Sequence, residues 1–161
     1  VDSELESDVS LAEMIGRTIA DSIDAEIDRT SIVKALRIAR ELEYIQDFYL
    51  ITNFEWYTEI ITHHPVLIGH EMTEGMLGTS EFFRGWIGPH GAPLLDSEGR
   101  VKRHVALLLG RNPKLFNGHY STYKSSGGPR WGDRFGEAMI TDKELKVLFD
   151  SVGFEAWAVV K

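Results

Sequence analysis

Apolar positions recur along this chain with two different periods. Ser10 and Glu13 have the spacing of a capping box, and Leu11, Ile15, Ile19, Ile23 and Ile27 follow at steps of four. That pattern predicts a helix with a broad, slanted apolar stripe, weakened at Gly16. Ile32, Ala35, Leu36, Ala39, Leu42, Ile45 and Tyr49 predict a second helix, capped by Thr30 or Ser31. The spacing leaves open whether residues 10–50 form one helix or two. From Phe48 to Ile61 aromatic and β-branched residues crowd together. Phe54, Trp56, Thr58 and Ile60 alternate there with Glu55, Tyr57 and Glu59, the two-residue period of a half-buried strand, with a turn at Thr52-Asn53.

The second half of the chain is punctuated by turn chemistry. Pro65 stiffens a corner before the short apolar run Val66–Ile68, and Glu71 to Phe83 is loosely helical through Met72 and Met76, weakened by Gly75 and Gly78. Residues 88–93 read as a loop and Asp96-Ser97-Glu98-Gly99 as a hairpin tip. Val101 to Leu109 reads as a buried strand. Asn117-Gly118 signals a hairpin that pairs Lys114–Phe116 with His119–Lys124, and Ser125 to Pro129 reads as a loop. Thr141 and Glu144 repeat the capping-box spacing before Leu145, Leu148, Phe149 and Val152. Gly153 is placed to end that helix, and Phe154 to Val160 alternates as a final strand. The expected fold is α+β: a helical N-terminal third, then a mixed, mainly antiparallel sheet with a C-terminal helix and strand. Residues 1–9 are expected to be a flexible acidic arm and residues 10–161 a single domain, helical over 10–50 and sheet-containing over 51–161.

Charge adds an asymmetry to this picture. Residues 1–60 carry fourteen acids and five bases, whereas residues 100–134 carry eight bases and one acid. Segregated charge suits contact with a second surface of opposite sign. Arg100, Lys102, Arg103, Arg111, Lys124, Arg130 and Arg134 form a candidate anion-binding set, interleaved with Phe116, Tyr120, Tyr123 and Trp131. Cations beside aromatic faces are also what a single-stranded nucleic-acid surface needs, but the acidic whole opposes a phosphate backbone. The absence of cysteine excludes disulfides, a thiolate nucleophile and a thiolate metal site within these 161 residues. It points to a soluble protein of a reducing, cytoplasmic setting or part of a particle. No run of eighteen apolar residues is present, so no membrane span is expected.

Candidate chemistry concentrates between His63 and His90. His63, His70, His90 and Glu74 are residue types that hold a divalent transition metal, and Glu71 is placed to serve as ligand or general base. No fixed-spacing metal motif organises them, and G-x-S-x-G and P-loop patterns are absent. Gly69-His70-Glu71 resembles the G-H-E of zinc-dependent alcohol dehydrogenases, but neither a cysteine ligand nor a dinucleotide-binding unit accompanies it. The stretch from Thr141 to Glu155 resembles the last helix and strand of class I methyltransferases, with no glycine-rich cofactor loop upstream. With no complete catalytic constellation in view, the sequence favours a non-catalytic structural or interaction subunit of a larger oligomeric assembly. Its partners would be copies of itself or other subunits, with no cofactor. The alternatives are a metal-dependent enzyme built on residues 63–90 and a single-stranded nucleic-acid binder built on residues 100–134.

Overall fold

The computed structural model describes residues 29–77, 85–113, 118–125 and 136–161. Helix α1 (Arg29–Glu41) leads to strand β1 (Asp47–Ile51), helix α2 (Phe54–Ile60) and strand β2 (Val66–Glu71). A single 3-10 turn, Glu74–Met76, precedes β3 (Trp86–Ile87), β4 (Arg103–Pro113), β5 (His119–Lys124) and β6 (Glu137–Thr141). Helix α3 (Asp142–Phe149) and strand β7 (Glu155–Val160) complete the chain. The seven strands form one sheet in the order β1-β7-β2-β4-β5-β6-β3, antiparallel throughout except for the parallel β3–β6 pair. The fold is α+β around a mixed sheet, as the alternation of periods implies. The helix expected over residues 10–28 lies outside the described residues.

The sheet is covered on both faces, which is why its central strands are apolar on both sides. Successive side chains of a strand point to opposite faces. Leu67, Leu107 and Val159 therefore face α1, where Ile32, Ala35, Leu36 and Ala39 recur at helical spacing and are buried. Gly69 lets this helix close on the sheet, because a Cβ there would lie 2.7 Å from Ile32 Cδ1. The opposite face presents Val66, Ile68, Ala106, Leu108, Tyr123, Ile140 and Ala156 to α2 and α3. There Phe54, Tyr57, Phe149 and Phe154 stack edge to face or tilted, with neighbouring rings 4.6 to 5.9 Å apart.

Three sequence expectations change. Residues 54–60 are helical, not extended. The Asn53 side chain accepts the Trp56 N–H at 2.9 Å and caps the helix. Tyr57 and Ile61 then turn inward one turn apart, while Trp56 stays more than half exposed. The second predicted helix stops at Glu41 and does not reach Tyr49. Glu43 adopts φ 61° just beyond its end, and Tyr49 belongs to β1. Between Glu71 and Leu77 the only helical element is the 3-10 turn. Other signals hold: the Thr141 hydroxyl accepts the Glu144 N–H at 3.3 Å, and Gly153 takes φ +77° just beyond α3.

Candidate functional site

Strand β5 turns three polar-headed side chains toward the α2/α3 face. Ser121 and Tyr123 are fully buried and Ser125, one residue beyond the strand, is nearly so. A buried hydroxyl needs a partner, and each of the three has one from a different element. Ser121 Oγ is hydrogen-bonded to the Tyr57 hydroxyl of α2. The Tyr123 hydroxyl lies 2.7 Å from His70 Nε2 of β2. Ser125 Oγ lies 3.0 Å from His104 Nε2 of β4. His70 and His104 are direct register partners across β2 and β4, with ring centroids 6.0 Å apart in an edge arrangement. The two histidines, Tyr123 and Ser125 thus meet at the end of the sheet where the chain leaves β2 and β5 and enters β4.

The protonation pattern of His70 follows from its partners. Its Nδ1 is 2.9 Å from the Glu71 carbonyl oxygen, which can only accept, so Nδ1 carries the proton. Burial pushes the His70 pKa down to about 4, so the ring is neutral near pH 7 and Nε2 is bare. Tyr123 therefore donates to His70. Burial also raises the Tyr123 hydroxyl above its ordinary range, so it keeps its proton. His104 is partly buried, and desolvation holds its pKa below the usual histidine value. No carboxylate contributes to that shift, so His104 lacks the acid partner of a Ser-His-Asp arrangement among the described residues. Farther along the same face, Tyr57 is pushed upward by burial, and the Asp142–Arg111 pair, 2.7 Å apart, lies within its electrostatic reach.

The sequence candidates are distributed differently. Of the histidine-rich stretch, only His70 joins the cluster. Both its ring nitrogens are engaged, which leaves no lone pair for a metal. His63 and His64 follow α2 with rings 6.4 Å apart, and His63 is exposed. Glu74 opens the 3-10 turn, where its Oε2 accepts the Ala92 N–H at 3.3 Å. The His90 carbonyl accepts the Gly75 N–H, and the His90 ring lies where a side chain at Gly75 would go. Glu71 is opposite Arg103 on the reverse face. Among the described residues no three His, Asp or Glu gather to hold a metal, and no helix is long and apolar enough to cross a membrane.

The cationic set is largely tied to its own chain. Arg100 pairs with Asp96 and Glu98 in the hairpin tip, each at 3.1 Å. Arg111 pairs with Asp142, which raises its pKa. Arg103 donates to the Gly153 carbonyl. Lys102 is exposed and Lys124 half-buried, while Arg130 and Arg134 lie outside the described residues. His104 and Ser125 were not among the sequence candidates. The available signal was a histidine heading the apolar run Val105–Leu109, together with Ser121, Tyr123 and Ser125 at alternate positions.

No protein-family model matches the chain, and no curated protein matches it. Solved structures of similar shape include bromelain from Ananas comosus bound to the E64 inhibitor, with TM-score 0.49 and 14% identity over 73% of this chain and 51% of that one. The ragweed pollen cysteine protease Amb a 11 in its proform is similar at TM-score 0.49 and 18% identity, over 72% and 34% of the two chains. Xylellain, a cysteine protease from Xylella fastidiosa, gives 0.49 and 12%, over 73% and 40%. The chain thus spans between 34% and 51% of each of these structures.

The expected function is corrected by the ion pairing within the chain. The sequence favoured a non-catalytic assembly subunit, with a metal-dependent enzyme or a single-stranded nucleic-acid binder as alternatives. The structures of similar shape are named as proteases. The arginines at 100 and 111, needed to grip a partner, are already neutralised by carboxylates of the same chain.

Proposed function

We propose that this chain supplies a general base, His104, to the hydrolysis of an acyl bond. The observation that carries the reading is the 3.0 Å contact between His104 Nε2 and Ser125 Oγ at the end of the sheet. Histidine is the residue most often used to move a proton in acyl transfer, and it works only when neutral and held in one tautomer. Burial supplies the first condition by lowering the His104 pKa. Ser125 supplies the second: Nε2–H donates to its oxygen and leaves the Nδ1 lone pair as the base. The reverse assignment would make Ser125 the nucleophile and leave Nδ1–H without a carboxylate to receive it among the described residues. Ser125 is therefore a positioning residue. Nδ1 takes the proton of an attacking water, which adds to the acyl carbon, and returns it to the leaving group. A thiol nucleophile is not available within this cysteine-free chain.

The test is hydrolysis of p-nitrophenyl acetate by the full chain. His104→Ala is expected to lower the rate by about 10²-fold, within the range for loss of a general base. His119→Ala, at an exposed position, is expected to leave it unchanged. Equal rates for the His104→Ala variant and the parent protein would refute the proposal. A fluorophosphonate probe is expected not to label Ser125, and labelling there would overturn its role as a positioning group.

A further inference from the structure

We infer that His70 and Tyr123 form a positioning pair that fixes the ring plane of His104. This inference rests on the reading of His104 as the base. The two histidines face each other across β2 and β4 with ring centroids 6.0 Å apart at 66°. His70 has no freedom to turn, because Nδ1–H is committed to the Glu71 carbonyl and Nε2 to the Tyr123 hydroxyl. A neighbour locked in this way offers His104 only the apolar edge or face of its ring. It blocks water on that side and leaves Ser125 to hold Nε2. Tyr123 and Ser125 are two residues apart and share one face of the sheet, so β5 sets both histidines at once: Tyr123 anchors His70, and Ser125 anchors His104.

Among the described residues, the charged and titratable groups around the pair are few. Arg103 and His104 come from β4, Glu71 from the reverse face of β2, and Tyr123 from β5. Arg103 and a protonated His104 both oppose a charge on His70. When His104 takes a proton during turnover, His70 therefore stays neutral and does not compete for it. The arrangement directs the proton to one ring, which is what a base beside a second histidine requires.

The experiment is an NMR titration of the His104 ring in the full chain, run beside the ester assay. His70→Ala opens the dry side of His104 to water, so its midpoint is expected to rise by about half a unit or more. The hydrolysis rate is expected to fall by about tenfold. His70→Phe restores a ring on that side and is expected to return the midpoint to within about 0.2 units of the parent value. Tyr123→Phe, a milder change that keeps the core filled, frees His70 and is expected to move the midpoint upward by a smaller amount. An unmoved His104 midpoint in His70→Ala, or in Tyr123→Phe should the alanine variant fail to fold, overturns the inference. The titration does not depend on turnover. A shifted midpoint in a protein that hydrolyses nothing would sink the general-base reading while leaving the positioning pair standing.

Discussion

Acidification should destabilise this protein through His70 before its carboxylates matter. The folded ring has a pKa of about 4, set mainly by burial, against about 6.5 for an unfolded histidine. The folded-state value is depressed, so the unfolded chain binds the proton first. The stability contributed by the neutral ring is complete above about pH 6.5 and is lost as the pH falls toward about 4. The full difference is about 3 kcal/mol, of which about 2 kcal/mol is gone by about pH 5. Against a total of about 5–15 kcal/mol for a domain, that is a large fraction. The assay is urea unfolding between about pH 7.5 and pH 5, run on the parent protein and on His70→Gln. Glutamine does not titrate, and its amide oxygen can accept the Tyr123 hydroxyl. The variant should be less stable at neutral pH but should lose about 2 kcal/mol less than the parent over this window. His104 is also depressed and faces His70, so its midpoint is measured by NMR in both proteins and its contribution is subtracted before the comparison. Equal losses in the two proteins would refute the argument that a buried neutral His70 controls acid stability.

Other perturbations test the packing that builds the site. Gly69→Ala should cost about 1–3 kcal/mol in urea unfolding, because the new methyl meets Ile32 Cδ1 at 2.7 Å, and Ile32→Val should recover part of it in the double variant. Gly153→Ala should cost about 1–2 kcal/mol for its left-handed backbone at φ +77°, with a further penalty from Arg103 Nη1 at 2.9 Å from the added carbon. Thr141→Ala removes the hydroxyl that accepts the Glu144 N–H at the start of α3, and should lower stability by about 1 kcal/mol. Thr141→Ser keeps the hydroxyl and should stay near the parent, and a Thr141→Ala variant as stable as the parent would contradict the capping role.

The parts of the fold legible in sequence are those decided locally. His119–Lys124 is read as a strand with its observed bounds, and the Thr141/Glu144 spacing with Gly153 brackets α3. Residues 54–60 misled because two periods fit so short a window. Phe54, Tyr57 and Ile61 satisfy helical spacing as well as alternation satisfies a strand, and the Asn53 cap decides between them. The strand order could not be read, since β7 lies between β1 and β2 through pairings that span most of the chain. The site was hidden for the same reason. His70 drew notice inside a histidine-rich stretch, but its partner histidine is 34 positions away by the numbering of His70 and His104, and their alignment is set by the β2–β4 register. Sequence proximity within the histidine-rich stretch does not place His63 beside His70: His63 is exposed beyond α2.

The most direct test of the account is the tautomer of His104. Long-range proton–nitrogen correlation on the full chain near neutral pH distinguishes a ring protonated at Nε2 from one protonated at Nδ1. The account predicts a neutral His104 with its proton on Nε2, donated to Ser125, and with Nδ1 bare. A proton on Nδ1, or a ring already charged at that pH, would contradict it.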